Sequence, residues 1–155
     1  CRGLVLAATR PQADSPEVKR GREKMLALVR EQGPSAVADE MLPRLLGDST
    51  RRSHPALADK VRSLIVANSI GAIEGAIKAM MTREDSTDVL STIHRPTLIM
   101  VGDEDAITPP DVSLEMQRAI GGSELVTIPG AGHLSNLEQP EAFNAAVARF
   151  LTYRV

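Results

Sequence analysis

The chain has 155 residues, of which 43% are apolar and 25% are charged, and its formal net charge is −2. A chain of this length can bury the core of one ordinary domain, and its balanced charge argues against a nucleic-acid partner, which requires a basic surface. No apolar run reaches the ~18 residues of a membrane span and the first residues lack a secretory signal, so we expect no membrane partner and a cytoplasmic location. The single cysteine, Cys1, excludes an internal disulfide and a cysteine-based metal site, and we expect no cofactor.

The first predicted element is a strand in the run GLVLAA, residues 3–8. After it, only helical patterns follow: SPEVKRGREKMLALVREQG, which ends at Gly33, and then SAVADEMLPRLL, ALADKVRSLIVA and AIEGAIKAMM. This stretch of about 80 residues is far longer than the ~12 that a crossover between parallel strands needs. We therefore predict an α/β core formed by residues 1–13 and 90–155, with a helical cap inserted at residues 14–89.

Two further strands are predicted in PTLIMVG (96–102) and ELVTIPG (124–130). All three runs are continuously apolar, which favours strands covered on both faces in a parallel sheet. Between the second and third strands, TPPDVSLEMQRAIGG predicts a helix that begins at a capping-box-like pair, Thr108 and Asp111, and PEAFNAAVARFL predicts a closing helix. The predicted fold class is therefore α/β, with about three parallel strands, flanking helices and right-handed crossovers.

Ionisable side chains follow the second and third predicted strands. Asp103 and Asp105 come directly after the second strand, and His133 lies in a Gly-Ala-Gly-His bend after the third. Because the carboxyl ends of parallel strands meet at one edge of a sheet, these side chains should come from neighbouring loops. A carboxylate there can accept the imidazole N–H and leave the other ring nitrogen free as a general base. His54 and His94 lack such a context.

These segments resemble the α/β-hydrolases. PTLIMVGDEDAITPP is similar to the acid-bearing strand and loop of that family, IPGAGHLSNLEQPEAF to its histidine loop and closing helix, and RGLVLAATR to the strand that follows its nucleophile helix. The resemblance implies a partial α/β-hydrolase fold with a helical cap, in which Asp105 is the triad acid and His133 the triad base. The sequence HLSNLEQPEAF is especially similar to that of the 3-oxoadipate enol-lactonase-like branch of the family, whose members hydrolyse small lactones and esters.

One part of the family pattern is not found, namely the G-x-S-x-G elbow that carries the nucleophilic serine. The three Gly-x-Ser sequences end at Ser35, Ser49 and Ser123; none has the second glycine, and none follows a predicted strand. No glycine-rich oxyanion loop precedes Cys1. We therefore expect the carboxyl-terminal half of an ester or lactone hydrolase, active only if a missing segment or a partner chain supplies the serine.

Two alternatives to this enzyme hypothesis remain open. The chain could be a non-catalytic remnant that associates with itself, because an unpaired edge at the strand of residues 3–8 would be covered in a homodimer, or by a complementary amino-terminal half. It could also be a binding module that uses the cap cavity without turnover. With only two Phe, one Tyr and no Trp, the chain favours a small aliphatic ester or lactone over an aromatic ligand.

Overall fold

The computed structural model describes residues 1–155 and contains three β-strands and seven α-helices. In chain order the elements are β1 (Leu4–Ala7), α1 (Pro16–Leu45), α2 (Asp48–Ser53), α3 (Pro55–Val66), α4 (Ile70–Met81), β2 (Thr97–Gly102), α5 (Pro110–Ala119), β3 (Glu124–Ile128), α6 (Ser135–Glu138) and α7 (Pro140–Tyr153), with a 3₁₀ turn at Leu90–Thr92 before β2. The three predicted strands all form, and their bounds differ from the predicted ones by at most two residues.

The strands form one parallel sheet in the order β1, β2, β3. β2 lies in the middle and all of its residues are buried, as its continuous apolar run predicts. β1 pairs with β2 alone, with Leu4 opposite Thr97, and its Val5 side chain is 40% exposed. The prediction that every strand is covered on both faces is therefore wrong for β1, because Val5 and Ala7 are exposed on the face of the sheet that is covered by helix only at β2.

The core lies on both faces of the sheet, because successive residues of β2 point to opposite sides. Leu98 and Met100 pack with Phe150 of α7 in one cluster of buried side chains. Ile99 points the other way and packs with Met116 of α5 in a second cluster. The helices α5 and α7 thus fix β2 from both sides, and the loops after β2 and β3 leave the sheet from a rigid base.

Residues 14–89, called the helical segment below, contain α1 to α4 and no strand. Ser15 caps α1 by accepting a hydrogen bond from the Val18 N–H at 3.3 Å. α1 breaks at Gly33, whose φ of 78° lies in the left-handed region, and this is where the sequence predicts the first helix to end. α1 packs against α3 and α4. The division of the chain into core and inserted cap stays a prediction.

No single helix is both long and apolar enough to cross a membrane, and α3 and α4 meet those requirements only as a pair bent by 94°.

Candidate active site

Two loops leave the carboxyl edge of the sheet and lie against each other: the acid loop (residues 103–109) after β2, and the histidine loop (residues 129–134) after β3. The Glu104 N–H donates to the Ala131 carbonyl oxygen at 2.9 Å. This close approach requires glycine at the end of β2, since a Cβ on Gly102 would lie 2.1 Å from the same carbonyl oxygen. Gly130, with φ of 66°, turns the chain in the left-handed region and starts the histidine loop.

Asp105 and His133 contact each other across these loops. The Asp105 Oδ2 atom lies 2.9 Å from the Nδ1 atom of His133. The other oxygen of this carboxylate, Oδ1, accepts hydrogen bonds from the backbone N–H groups of Ile107 at 2.8 Å and Thr108 at 2.9 Å. The Thr108 hydroxyl donates to Oδ2 at 2.7 Å. Asp105 is 3% exposed, so its orientation is set entirely by the protein.

The electrostatics of the pair fix the imidazole tautomer. Burial raises the pKa of Asp105, but the hydrogen bonds from His133 and from Thr108 outweigh it and hold the pKa below its usual range. Asp105 is therefore a carboxylate at neutral pH and can only accept, so the proton of the neutral imidazole resides on Nδ1. The Nε2 atom of His133 is then unprotonated and has no hydrogen-bond partner within the chain. This is the arrangement of a general base.

The other ionisable side chains that the sequence singles out lie apart from this pair. Asp103 is exposed and accepts a hydrogen bond from the Gly130 N–H at 2.7 Å, so of the two candidate acids Asp105 is the one that contacts the histidine. His54 and His94 are both exposed on other parts of the molecule, His94 at the amino-terminal side of β2. No group of three or more His, Cys, Asp or Glu side chains converges in a way that would hold a metal ion.

The histidine loop is also held from the helical segment. The Leu45 carbonyl oxygen, at the end of α1, accepts hydrogen bonds from the N–H groups of His133 at 3.0 Å and Leu134 at 3.3 Å. The buried Glu138 carboxylate accepts from the N–H groups of Gly47 at 2.8 Å and Gly132 at 2.9 Å. A Cβ on Gly132 would lie 2.4 Å from the Gly47 nitrogen, so the two backbones are in direct contact. The position of His133 thus depends on contacts with residues 45–47.

Sequence reasoning missed Thr108 and Glu138 as parts of the site. The prediction that Thr108 caps α5 with Asp111 is wrong: α5 begins at Pro110 without a side-chain cap, and the Thr108 hydroxyl bonds Asp105 instead. The carboxylate three residues before Thr108 competes for its hydroxyl, and an Asp-x-x-Thr pattern in a loop after a strand is the signal that could have indicated this contact. No local pattern indicates that Glu138 bonds Gly47, which lies 91 residues away.

A cavity of about 910 Å³ lies between the helical segment and the carboxyl edge of the sheet, and His133 and Thr108 are among its lining residues. Its wall is mostly aliphatic and includes side chains from α1, α3 and α4; the larger apolar ones from these helices are Val18, Met25, Leu28, Val37, Met41, Ile65, Ile73, Ile77 and Met80. No Phe, Tyr, Trp, Ser or Cys side chain lines it. A second depression, of about 450 Å³, lies beside Glu104 and includes neither Asp105 nor His133.

The three serines of the Gly-x-Ser sequences lie elsewhere. Ser49 donates to Glu104, and Ser123 donates to the Ile120 carbonyl oxygen at 2.8 Å. Ser35 is exposed on α1. None of these three hydroxyl groups therefore lines the cavity that His133 faces.

Comparisons with known proteins identify the family of this chain. An α/β-hydrolase family model, described as TAP-like protein, matches residues 77–154. The AB hydrolase superfamily protein YisY of Bacillus subtilis is 32% identical over 135 residues, which are 85% of this chain and 47% of that protein.

Solved structures match over almost the whole chain. A thermophilic esterase from Thermogutta terrifontis is 42% identical with a TM-score of 0.93, and the match covers 97% of this chain and 56% of that chain. The enol-lactonase from Burkholderia xenovorans LB400 is 28% identical with a TM-score of 0.86, with the same two coverages, 97% and 56%. The chain thus spans about half the length of the relatives it matches. Because the α/β-hydrolase family model matches half of the chain and the fold matches these hydrolase structures, the chain belongs to the α/β-hydrolases.

Proposed function

We propose that this chain supplies the acid and the base of a serine-type ester or lactone hydrolase, and that its helical segment acts as the cap over the acyl pocket. The observation that carries the proposal is the Asp105–His133 pair at 2.9 Å, placed at the edge of an aliphatic cavity of about 910 Å³. The esterase and enol-lactonase matches support an ester or a lactone as the substrate, and the aliphatic wall of the cavity supports an aliphatic acyl group. The serine comes from a segment outside these 155 residues or from a partner chain.

In this mechanism the serine hydroxyl attacks the acyl carbon while Nε2 of His133 takes its proton. Asp105 holds the imidazole in the required tautomer and stabilises the imidazolium that forms. The tetrahedral intermediate collapses when His133 returns the proton to the leaving alkoxide, which departs as an alcohol. A water molecule then attacks the acyl-serine with His133 again as the base, and this step releases the acid and restores the serine.

A chimera tests the proposal directly. This chain would replace the matching 56% of the Thermogutta terrifontis esterase, so that the remainder of that enzyme supplies the other elements of the fold. We expect the chimera to hydrolyse p-nitrophenyl butyrate, and we expect His133→Ala or Asp105→Asn to lower its kcat by about 10⁴-fold. His94→Ala is the matched control because His94 is exposed and does not line the cavity.

The results separate the role of this chain from that of the esterase segment in the chimera. An active chimera whose rate is unchanged by His133→Ala would contradict the assignment of the base. The 155-residue chain alone should show no hydrolysis; activity of the isolated chain that is lost in His133→Ala would place the nucleophile within these residues and overturn the part of the proposal that brings the serine from elsewhere.

A second candidate function, self-association without catalysis, is favoured by the exposed edge of β1. The N–H groups of Leu4 and Ala8 donate to the carbonyl oxygens of Pro96 at 2.9 Å and Met100 at 2.8 Å. Because backbone groups alternate in direction along a strand, those of Val5 and Ala7 point to the open edge. Such an edge pairs readily with another strand. We propose that it pairs either with a second copy of this chain or with the segment that completes the sheet.

Size-exclusion chromatography with light scattering tests the self-association. A dimer that Val5→Lys disrupts would support pairing at β1, and Thr127→Lys on the exposed face of β3 is the control. A monomer at micromolar concentration would reject the homodimer.

A further inference from the structure

Glu104 joins the acid loop to the helical segment. It lies directly before Asp105, and its Oε2 atom accepts a hydrogen bond from the Ser49 N–H at 2.8 Å. The Ser49 hydroxyl donates to Oε1 of the same carboxylate. The backbone N–H of Glu104 donates to the Ala131 carbonyl oxygen in the histidine loop. The residue next to the acid therefore contacts both the helical segment and the loop that carries the base.

The Glu104 carboxylate is ionised at neutral pH. The hydrogen bonds from the Ser49 hydroxyl and N–H outweigh burial and hold the pKa of Glu104 below its usual range. A carboxylate accepts hydrogen bonds on both of its oxygens, so both donors of Ser49 are satisfied together. Hydrogen bonds to a charged acceptor are stronger than those between neutral groups. This contact therefore resists separation of the acid loop from α2.

The segment that Glu104 binds also holds the histidine loop. We call residues 45–50 the junction segment. At its start, the Leu45 carbonyl oxygen accepts the hydrogen bond from the His133 N–H. At its end, the Thr50 hydroxyl donates to the Gly130 carbonyl oxygen at 3.4 Å. The loops that carry the acid and the base are thus held by one short segment of the chain.

The junction segment directly continues α1, which forms part of the cavity wall. Val37, Met41 and Arg44 of α1 line the cavity, and Leu45 is the next residue along the chain. The junction segment is well packed, since the side chain that follows, Leu46, is 2% exposed. The backbone therefore connects the cavity wall to the contacts that hold both catalytic loops.

The helical segment is attached to the core at a second place, whose hydrogen bonds do not reach the catalytic loops. There the buried Asp14 side chain accepts hydrogen bonds from Arg10 at 2.6 Å and from Arg22, and Arg83 lies 3.4 Å from it. The hydrogen bond from Arg22 outweighs burial and holds the pKa of Asp14 below its usual range. These contacts tie the two ends of the helical segment together. The junction segment is thus the place where the helical segment acts on the catalytic pair.

The hydrogen bonds within the acid loop fix the Asp105 carboxylate relative to that loop alone. His133 contacts the carboxylate from the other loop, at 2.9 Å, and a hydrogen bond weakens steeply as its distance and angle change. Asp103 joins the two loops at an exposed position by accepting from the Gly130 N–H. Glu104 adds a link through the junction segment, directly beside the acid. The geometry of the pair therefore depends on this link.

We propose that Glu104 is a positioning residue for the catalytic pair. By binding Ser49 it holds the acid loop to the junction segment, so that Asp105 keeps the distance and direction that His133 requires. Glu104 does not line the cavity, so it acts through Asp105 and not on a ligand. The inference rests on the proposed function for its effect on catalysis, whereas the geometry of the pair is measurable in this chain alone.

Nitrogen-15 NMR of His133 tests this role in the 155-residue chain, at a pH at which the imidazole is neutral. The shifts of the two ring nitrogens report which of them carries the proton, and in the wild-type chain this is Nδ1. We expect Glu104→Ala to move the two shifts toward each other, because a loosened pair admits the tautomer with the proton on Nε2. Glu104→Gln should restore the wild-type shifts, since its amide oxygen accepts from the Ser49 N–H and its NH₂ group donates to the Ser49 hydroxyl oxygen.

Glu74→Ala is the matched control. Glu74 accepts hydrogen bonds from Arg30 at 2.7 Å and Lys78 at 3.0 Å within the helical segment, and it does not line the cavity. Its loss weakens the helical segment without touching either catalytic loop. Ring-nitrogen shifts that stay unchanged in both Glu104→Ala and Glu74→Ala would overturn the inference. Shifts that move as far in Glu104→Gln as in Glu104→Ala would also overturn it, because they would show that the charge matters and the hydrogen bonds do not.

A second variant covers the case in which Glu104→Ala does not fold, as judged by its circular dichroism. Ser49→Ala removes one of the two hydrogen bonds and should move the ring-nitrogen shifts in the same direction by a smaller amount. Shifts in Ser49→Ala equal to those of the wild-type chain would then count against the inference.

The chimera separates this inference from the proposed function. Its kcat should fall about tenfold to a hundredfold in Glu104→Ala, as for a misplaced catalytic group, while KM stays the same. Glu104→Gln should recover most of this loss. An unchanged kcat in Glu104→Ala would overturn the positioning role alone. Ring-nitrogen shifts that move in Glu104→Ala, together with a chimera that hydrolyses no ester, would overturn the hydrolase function alone.

Discussion

Glu138 joins the histidine loop to the start of α2, and we predict that its carboxylate is a main anchor of the site. Its side chain is 7% exposed. Oε2 accepts a hydrogen bond from the Gly47 N–H at 2.8 Å, and Oε1 accepts from the N–H groups of Gly132 at 2.9 Å and Leu134 at 3.2 Å. The N–H groups of Gly47 and Gly132, on two separate segments, therefore depend on one carboxylate, and the Leu134 N–H shares it with the Leu45 carbonyl oxygen.

Glu138→Gln keeps the size of the side chain and removes this match. A glutamine has one acceptor oxygen and one NH₂ group, so in either orientation the NH₂ group faces a backbone donor and at least one hydrogen bond is lost. A hydrogen bond to a charged group contributes about 1.5–3 kcal/mol, and a buried donor left unpaired costs about 1–3 kcal/mol. We expect the free energy of unfolding to fall by about 3 kcal/mol. We also expect faster hydrogen exchange at the His133 N–H, since the loop around it is released.

Urea unfolding followed by far-UV circular dichroism measures this change, because the chain has no Trp and one Tyr and offers little fluorescence signal. The matched control is Glu141→Gln in the first turn of α7, an exposed carboxylate whose contribution to the helix is about 0.3–1 kcal/mol. A loss in Glu138→Gln no larger than in Glu141→Gln would refute the reasoning, because it would mean that the N–H groups of Gly47 and Gly132 find other partners at no cost.

Three further predictions concern the loops around the site. Gly102→Ala should lower the free energy of unfolding by about 3 kcal/mol or more, because the new Cβ would lie 2.1 Å from a backbone carbonyl oxygen of the histidine loop. The control is Gly121→Ala, whose Cβ would meet nothing within 4 Å and which should show little change in the same urea titration. Thr108→Val removes the 2.7 Å hydrogen bond to Asp105 and should cost about 2 kcal/mol, and an unchanged midpoint would show that this bond contributes nothing. In the folded protein, the pKa values of Asp14 and Asp105 lie below their unfolded value of about 3.9. The Tm should therefore stay constant above about pH 4 and fall as the pH drops toward the folded pKa values. A constant Tm from pH 7 to pH 2 would contradict this.

The parts of the fold that the sequence predicts are those set by local patterns. The strands β1, β2 and β3 follow from short apolar runs bounded by turn residues, and the break in α1 follows from Gly33, which takes a left-handed conformation. The contact between Asp105 and His133 is predictable for a topological reason: both residues follow adjacent parallel strands, whose carboxyl ends share one edge.

What the sequence does not predict depends on contacts between distant residues. Glu138 binds Gly47 and Arg83 contacts Asp14 across 91 and 69 residues, and neither pair carries a local pattern. The wrong prediction for Thr108 also reflects tertiary structure, although the residues involved are close in sequence. Helix capping and the hydrogen bond to Asp105 compete for the Thr108 hydroxyl, and the packed loop favours Asp105. The exposure of Val5 depends on which helices cover β1, a property of the packed sheet and not of the strand itself.

The contacts that fix Asp105 and His133 come entirely from within these 155 residues, and this determines what completion of the site would require. The acid is held by Ile107 and Thr108, and the histidine by Asp105 and Leu45, so the imidazole already has its tautomer and direction. A serine placed near Nε2 would therefore meet a base that needs no rearrangement, and pre-organisation of this kind is a large part of enzymatic rate enhancement. In a chimera of low activity, the first geometry to correct is then the position of the serine and of the oxyanion donors, because the proposed function assigns both to the other part of the chimera.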